Sequence, residues 1–252
     1  MRTFFILLTK ELRSFFLSPV AWVVLAMFMA ISGLSFSWAV SHLRDLPGDQ
    51  SVVQWTFVPP WFWYYYPFLF ALITMRLFAE EQKQGTLESL LTAPVRTVQV
   101  LLAKYFCAVL FYIVLWLPVL IFFGVLHWVM KGKVEFPEGA LAGCYLILLL
   151  TGFFHLALGL LASALTKNQI IAAILAFAMI IMHFLIGDFL QTQAKDNPKQ
   201  YDALVDHVAI RKHVDNFAAG LVDSRPAVYY LSFTVLLLAV THQVLEYRRW
   251  KA

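Results

Sequence analysis

The chain alternates between long apolar runs and short charged stretches. Six runs contain no Asp, Glu, Lys or Arg, and each reaches the roughly 20 helical residues that are needed to cross ~30 Å of hydrocarbon. These runs cover residues 14–43, 50–75, 105–130, 139–166, 168–187 and 226–245. The pattern therefore predicts an all-α polytopic membrane protein with six transmembrane helices.

Composition supports this prediction. Apolar residues make up 61% of the 252 residues and charged residues only 13%, which is far outside the usual range for soluble domains. The longest stretch outside the runs, residues 188–226, is too short for a separate globular domain, so we expect residues 1–252 to form a single transmembrane domain. Cys107 and Cys144 fall inside predicted spans, where packed thiols are expected rather than a disulfide or a metal pair.

Residues 1–17 are predicted to form an amphipathic helix that lies on the membrane. At about 100° per residue, large apolar side chains share one face and polar ones share most of the other. The apolar face contains Phe4, Phe5, Leu8, Leu12, Phe15 and Phe16, and the polar face contains Arg2, Thr9, Lys10 and Arg13. The alternative is that this segment simply starts the first span, but Pro19 would break or kink one continuous helix.

The distribution of basic residues predicts an orientation with both termini in the cytoplasm. This N-in/C-in arrangement places 11 Lys and Arg residues inside and 8 outside, and most of the latter lie in one long loop. Residues 76–104 then form a cytoplasmic loop. Residues 188–226 form an extracytoplasmic loop, in which we expect one or two short helices.

The cytoplasmic loop is a charged insert with helical spacing between two apolar runs. Glu80 and Glu81 follow the second span within two turns, so the helix is expected to continue into water. Gly85 breaks or bends it, and Thr86 can cap a following helix by accepting from a backbone N–H. Pro94 prevents that helix from continuing.

Residues 85–94 are thereby predicted to form a two-turn helix with one apolar face. Leu87, Leu90 and Leu91 share that face at i, i+3 and i+4 spacing, and Glu88 points elsewhere. A helix so short must dock on something to be stable. Two alternatives remain: docking on the inner helix ends of its own protein, or anchoring in a groove on a soluble partner.

The chain shows no catalytic constellation. It lacks a Walker A loop, a Gly-x-Ser-x-Gly motif and a His-Glu-x-x-His motif, so it cannot hydrolyse ATP by the P-loop route. The cores of the spans contain no Asp, Glu, Lys or Arg, which argues against a carrier driven by a carboxylate relay. No stripe of basic residues interleaved with aromatic residues predicts nucleic-acid binding.

His127, His155 and His183 fall in or near predicted spans. Three histidines on three helices are enough for a metal or haem site in principle. No H-x-x-x-H or C-x-x-C spacing joins them, so packed or hydrogen-bonded roles are expected instead, and no metal or cofactor is assigned to this chain.

Three regions of the chain carry a resemblance to a known family. The central region contains residues 75–95 (MRLFAEEQKQGTLESLLTAPV) and LLAK at 101–104, and the N-terminal region contains residues 10–16 (KELRSFF) and SP at 18–19. The C-terminal region contains HVDNF at 213–217, GLVD at 220–223, YYL at 229–231 and RRW at 248–250. Together they resemble ABC-2 type ABC transporter permeases, closest to the gliding-motility-type and nitrous-oxide-reductase-maturation-type branch.

The resemblance implies the membrane-spanning permease subunit of an ABC transporter in the cytoplasmic membrane of a bacterium. Such a permease dimerises with a second copy or a related permease, and it binds two copies of a separate ATPase subunit that hold ATP and Mg. A periplasmic or membrane accessory protein is a further implied partner. Hydrolysis of ATP would drive export or movement of a substrate that the chain does not reveal.

The resemblance also assigns roles to residues. Residues 85–94 would be the coupling helix in a cleft of the ATPase, and the N-terminal helix would be the elbow helix packed beside it. The residues implicated in coupling are Glu80, Glu81, Gly85, Thr86, Leu87, Glu88, Leu90, Leu91 and Pro94, and those implicated in the elbow helix are Lys10, Glu11 and Arg13.

Two other classes of function compete with transport. A non-transporting membrane platform that passes ATP-driven mechanical signals to a periplasmic partner would use the same coupling helix. A polar or aromatic path along the dimer axis would favour transport, whereas a sealed interface would favour the platform. An intramembrane enzyme or haem protein is disfavoured by the missing catalytic and ligand spacings.

Overall fold

The structure, a computed structural model, describes residues 2–45, 51–57, 60–87, 90, 95–131 and 138–251. Within these ranges the chain is helical and contains no strand. The helices are α1 (Arg2–Phe16), α2 (Pro19–Asp45), α3 (Val52–Phe57), α4 (Pro60–Thr74), α5 (Ala79–Gln84), α6 (Thr97–Val129), α7 (Glu138–Leu165), α8 (Gln169–Asp196), α9 (Pro198–Val208), α10 (Ile210–Ala218) and α11 (Ser224–Lys251). The predicted all-α class is confirmed for this part of the chain.

Five of these helices are long and apolar enough to cross a membrane. They are the segments Pro19–Leu43, Thr97–Val129, Gly139–Leu165, Gln169–Asp196 and Ser224–Trp250. Each overlaps one of the predicted spans, and three of them, α6, α8 and α11, extend beyond it by five residues or more. The helix α6 begins eight residues before its predicted span, and α8 continues nine residues beyond its own.

The predicted second span, residues 50–75, corresponds to α3 and α4. The 15 residues of α4 measure only about 22 Å along the helix axis, which is shorter than the hydrocarbon layer. Residues 50, 58 and 59 of this predicted span lie outside the described residues. A sixth span at this position therefore stays a prediction.

A break at Leu17 and Ser18 separates α1 from α2. Pro19 is the first residue of α2, where its missing N–H removes no helical hydrogen bond. The side chains of α1 that point inward pack on α6, and the Phe15 ring lies 4.6 Å from the Phe111 ring. Residues 2–16 thus form a helix of their own, whose placement on a membrane surface stays a prediction.

The helix α7 is the centre of the bundle. In the apolar stretch of α7 that could cross a membrane, 72% of the residues are buried. The corresponding share is 22% to 39% in the other four long helices. Three glycines bring neighbours close: an added Cβ would lie 2.7 Å from the Phe217 carbonyl at Gly143, 2.2 Å from the Tyr112 ring at Gly152 and 2.1 Å from Thr74 at Gly159. Larger residues at these positions would push the surrounding helices apart.

Two short helices, α9 and α10, connect α8 to α11 at one end of the bundle. The helix α9 packs on α8 and α11, and α10 packs on α7. Since α8 and α7 run in opposite directions along the bundle, this end lies opposite the end at which α7 finishes and α8 begins.

Candidate functional site

A buried lysine joins three helices at the other end of the bundle. Lys104, in the third turn of α6, has a side chain that is only 3% exposed. Its ammonium lies 3.0 Å from Glu11 Oε2 of α1 and 3.0 Å from Glu81 Oε1 of α5. Because a buried charge without partners is very costly, these two carboxylates hold α1, α5 and α6 together at one point.

Lys10 completes a charged cluster that we define as Lys10, Glu11, Glu81 and Lys104. Its ammonium lies 3.8 Å from Glu11 Oε1 and 3.8 Å from Glu81 Oε1. The side chain of Lys10 is 58% exposed, so these longer contacts contribute little. The cluster has two formal positive and two formal negative charges, and its stabilising part is the buried ammonium of Lys104.

Arg76 connects the end of α4 to the break between α1 and α2. Its guanidinium donates to the Ser18 hydroxyl and to the Ser14 carbonyl, the latter at 3.1 Å. It also lies 4.8 Å from the centre of the Phe15 ring, within range of a cation–π contact. The turn after α4 and the N-terminal helix therefore share a second anchor.

The short helix α5 is held on the end of α7 by hydrogen bonds to its backbone. The Ser163 hydroxyl accepts from the N–H groups of Phe78 and Ala79, each at 3.0 Å, and donates to the Met75 carbonyl at 3.1 Å. Gln82 Nε2 donates to the Ser163 and Ala164 carbonyls at 3.3 and 3.1 Å. The free N–H groups at the start of α5 and free carbonyls near the end of α7 thus find partners.

Gly85 ends α5 in the left-handed conformation, with φ of 73°. A residue with a side chain rarely adopts this conformation, so glycine is favoured at this turn. The Thr86 hydroxyl donates to the Glu81 carbonyl at 3.4 Å. The acceptor role expected for Thr86 involves the backbone of residues 88 and 89, which lie outside the described residues.

The predicted leucine face points at least partly into this chain. Leu87 is 2% exposed and belongs to the hydrophobic core, and the partly buried Leu90 packs against that core. Leu87 therefore packs within this chain, and the docking of the whole face stays a prediction. Glu88, Leu91 and Pro94 lie outside the described residues, so their predicted roles stay predictions.

A cavity of about 380 Å³ opens between α1, α5 and α6 beside the charged cluster. Glu81 Oε2 is buried and has no hydrogen-bond partner among the described residues. The cavity is lined by Lys10, Glu11, Ser14, Phe15, Arg76, Leu77, Glu80, Glu81, Gln84, Thr86 and Lys104. The exposed part of this surface is polar and charged rather than leucine-rich.

The structure separates the predicted site residues into three groups. Lys10, Glu11 and Glu81 meet in the charged cluster. Glu80 and Thr86 line the cavity beside it. Arg13 lies apart from the cluster, on the exposed outer face of α1.

Comparison with known families assigns the chain. The family described as ABC-2 family transporter protein matches residues 14–183, which is more than half of the chain. The chain belongs to this family. No curated protein matches it. It is a multi-pass membrane protein and a permease component of an ABC transporter, and the ABC-2 family implies an ABC ATPase subunit as its partner.

Sequence reasoning did not identify Lys104 and Ser163 as site residues of this ABC-2 permease. Lys104 is the last residue of the LLAK motif and the last charge before an apolar run, but no site role was assigned to it. Its partner Glu11 lies 93 residues away, which no local pattern reveals. Ser163 looks like any small residue of a span, and nothing in its sequence context indicates its role at α5.

Two buried histidines inside the bundle contact each other and a tyrosine. His155 Nε2 lies 3.3 Å from His183 Nδ1, and His183 Nε2 lies 3.3 Å from the Tyr229 hydroxyl. Close by, the Tyr66 hydroxyl lies 2.5 Å from the Tyr112 hydroxyl. Among the residues that the structure describes, no group of three or more His, Cys, Asp or Glu could hold a metal ion.

At the opposite end, a buried histidine joins α9, α10 and α11. His213 Nε2 lies 3.0 Å from the Asp206 carbonyl, and Nδ1 lies 2.9 Å from the Tyr230 hydroxyl. A carbonyl can only accept, so Nε2 carries the proton and Nδ1 accepts from Tyr230. We call Asp206, His213 and Tyr230 the histidine cap. Burial lowers the pKa of His213 below its usual value of 6.5.

Proposed function

We propose that this chain transmits the ATPase cycle of its partner subunit to its membrane helices through the charged cluster. The observation that carries the proposal is the position of Lys104, whose ammonium bridges the N-terminal helix α1 and the short helix α5. A force applied to α5 or to the turn after it would reach α1 and α6 together, because all three share this buried contact. The segment that begins at α5 would then serve as the coupling element.

The exposed residues around the cavity are the proposed contact surface for the ATPase. Gln84, Gly85 and Thr86 are exposed, whereas Leu87 is buried within the chain. Contact through polar residues at the turn therefore fits the described part of the segment better than contact through Leu87. The remaining predicted contacts, Glu88, Leu91 and Pro94, belong to the same proposed surface.

The test replaces two exposed cavity residues by arginine, in the double variant Gln84→Arg and Thr86→Arg. We expect the amount of ATPase subunit that co-purifies with the full chain to fall by at least about tenfold, because bulky charges would clash with a close contact. The matched control is Gln200→Arg with Thr192→Arg. Both control residues are exposed, and the Thr192 hydroxyl bonds a carbonyl four residues back, so it resembles Thr86 in local role.

Unchanged circular dichroism and gel-filtration behaviour would show that both double variants fold. If the Q84R/T86R variant retained the ATPase as well as the wild type does, the proposed contact surface would be wrong. Loss of ATPase in the control variant alone would place the contact at the opposite end of the bundle.

We further propose six spans with both termini in the cytoplasm, where α4 and the residues around it form the second span. The excess of Lys and Arg on the proposed inner side supports this orientation. The test introduces single cysteines at Thr9, Asp202 and Tyr247 and treats intact cells with a membrane-impermeant maleimide. Both native cysteines are buried, so they should not react with the reagent. We expect labelling at position 202 only, whereas five spans would expose the two ends of the chain on opposite sides.

The proposed assembly is a permease dimer, with a second copy or a related permease, bound to two ATPase subunits in the bacterial cytoplasmic membrane. Four of the five long helices are largely unburied within one copy, which leaves surface for lipid and for a second permease. Native mass spectrometry of the purified complex should give two permease chains and two ATPase chains. A complex with a single permease chain would contradict this stoichiometry.

Within the family we propose the gliding-motility-type and nitrous-oxide-reductase-maturation-type branch, and export or movement of a substrate as the outcome of ATP hydrolysis. The motifs at 213–217 and 229–231 support this placement, and they lie beyond the residues that the family match covers. ATP-dependent transport by vesicles that contain the complex tests the functional part. ATP hydrolysis without net movement of any candidate substrate would contradict it.

A further inference from the structure

The outer face of α1 combines exposed apolar residues with two cations. Phe5 and Ile6 are each 61% exposed, although other large side chains of α1 pack on α6. Together with Thr9, Lys10 and Arg13 they line a shallow, open groove along this face of the helix. These positions follow i, i+1, i+4, i+5 and i+8 spacing, so they form one continuous stripe along the helix.

The two ends of the stripe differ in chemical character. Its first two residues are apolar and its last two are cationic, and about 12 Å of helix separates Phe5 from Arg13. Arg13 forms no ion pair with any residue that the structure describes, and Lys10 approaches its carboxylates only to 3.8 Å. The cationic end therefore has unused capacity for an anion, and the apolar end has surface that water does not favour.

We propose that this face of α1 binds an anionic phospholipid of the membrane, with the phosphate between Lys10 and Arg13 and acyl carbons against Phe5 and Ile6. A phospholipid offers both kinds of contact in one molecule, with an anion at one end and hydrocarbon at the other. Under the proposed orientation this lipid belongs to the inner leaflet. The binding itself depends only on the groove, so it can be tested independently of the proposed function.

The bound lipid would also lie beside the charged cluster. Lys10 takes part in both sites, because its ammonium faces Glu11 and Glu81 and its side chain also lines the groove. A phosphate at Lys10 draws the ammonium away from Glu81 and leaves Lys104 as the partner of that carboxylate. The lipid would in this way change the charged contact that joins α1 to α5.

The test measures lipid binding to the full chain in detergent by native mass spectrometry. The probes are phosphatidylglycerol and phosphatidylcholine with identical acyl chains, so that only the headgroup differs. Each Lys or Arg near an anionic lipid surface contributes about a fivefold gain in affinity. We therefore expect a preference for phosphatidylglycerol of roughly 25-fold for the two cations together.

Three variants assign this preference to the groove. Lys10→Gln with Arg13→Gln should abolish it, and Arg13→Gln alone should leave about fivefold without disturbing the charged cluster. Phe5→Ser should weaken both lipids alike, because it removes apolar contact only. The matched control is Lys195→Gln with Lys199→Gln, two exposed lysines of α8 and α9, which should leave the preference unchanged.

Two results would overturn the proposal. One is equal binding of the two lipids by the wild type, and the other is an equal loss of preference in the control variant. If the wild type showed no preference and the K10Q/R13Q variant lost its ATPase subunit, the face would be a protein contact instead. Charge-conserving exchange, Lys10→Arg with Arg13→Lys, should retain the lipid preference and so separates charge from misfolding.

Discussion

The charged cluster and the histidine cap fasten short helices to opposite ends of the same bundle by different chemistry. In the charged cluster, one buried ammonium is shared by the carboxylates of Glu11 and Glu81. In the histidine cap, a neutral imidazole bridges a backbone carbonyl and a tyrosine hydroxyl. Both devices join three helices through one central side chain.

The two devices differ in what happens when the central side chain is lost. Loss of Lys104 leaves two carboxylates close together with only the mostly exposed Lys10 as a cation near them, and the cost of such a defect is electrostatic. Loss of His213 leaves a hydroxyl and a carbonyl without a partner, a smaller penalty for neutral groups. The cluster therefore makes a firm joint where we propose force to be transmitted, whereas the cap makes a joint that responds to pH.

The largest expected effect is that of Lys104→Met, which keeps the length of the side chain and removes the charge. We expect a loss of about 3–5 kcal/mol in the free energy of opening of α5, because the two carboxylates lose their buried cationic partner. Hydrogen exchange at the amides of α5 measures this opening in detergent. Lys10→Met is the matched control, and it should cost at most about 1 kcal/mol because Lys10 is mostly exposed.

A triple variant sharpens this result. Lys104→Met with Glu11→Gln and Glu81→Gln leaves only the mostly exposed Lys10 charged, and it should recover most of the lost stability. Equal effects of Lys104→Met and Lys10→Met would mean that burial of Lys104 does not matter, which would remove the basis of the comparison.

The second effect concerns the centre of the histidine cap. His213→Phe removes both hydrogen bonds and should cost about 2–4 kcal/mol in the opening of α10, since each of the two partners left unpaired costs about 1–2 kcal/mol where burial is partial. Tyr230→Phe removes one of the two bonds and should cost less. The control His207→Phe, at an exposed histidine of α9, should stay within about 0.5 kcal/mol.

The third effect is a dependence of the opening free energy of α10 on pH, which originates in the histidine cap. The pKa of His213 is lower in the folded protein than its usual 6.5, because burial disfavours the charged form. Between the folded pKa and 6.5 the unfolded state binds more protons, so the opening free energy of α10 should fall as the pH drops through this window and level off below it. Hydrogen exchange at α10 from roughly pH 7.5 to pH 5 measures this, after correction for intrinsic exchange rates.

Asp206 titrates in a different pH range and provides the control. A hydrogen bond from Lys212 lowers the pKa of Asp206 below 3.8, so its contribution is present above that pH and lost as the pH falls through the folded pKa. His213→Phe should therefore remove the upper transition and leave the lower one. An upper transition that persisted in His213→Phe would assign the pH dependence to another group.

The smallest effect is expected for the exposed ion pairs around the cap. Asp206 pairs with Lys212 at 2.8 Å and with Arg225 at 3.4 Å, and all three side chains are about one-third exposed or more. Asp206→Asn should cost only about 0–1 kcal/mol, and added salt should shrink even that difference. A larger cost that resisted salt would show that these pairs are more buried in the assembled transporter.

Local sequence patterns predicted the elements of the fold well. The apolar runs located the five long helices, Pro19 marked the start of α2 and Gly85 marked the end of α5. Each of these depends on a run of consecutive residues or on one residue with a special backbone. The start of α6 and the ends of α8 and α11 were missed because these helices continue through polar or charged residues, which a hydropathy criterion excludes from a span.

The candidate site was predicted only in part, because local sequence patterns do not reveal contacts between distant residues. The charge of Glu81 and its helix could be read locally, but the partner that gives it a role lies on another helix. The face of Leu87 was predicted correctly as apolar, yet periodicity does not say whether such a face packs on its own chain or on a partner. In the structure Leu87 is buried within its own chain, at 2% exposure.

The sequence by itself determined that this protein is a bundle of apolar helices, that a charged insert follows α4, and that no ATPase motif accompanies them. Helix formation and membrane compatibility are properties of short windows, so they can be read one segment at a time. Only the tertiary structure decided that Lys104 holds α1 and α5 together and that His213 holds the opposite end. Those roles depend on which distant side chains are buried beside each other, and the packing of the whole chain alone determines that.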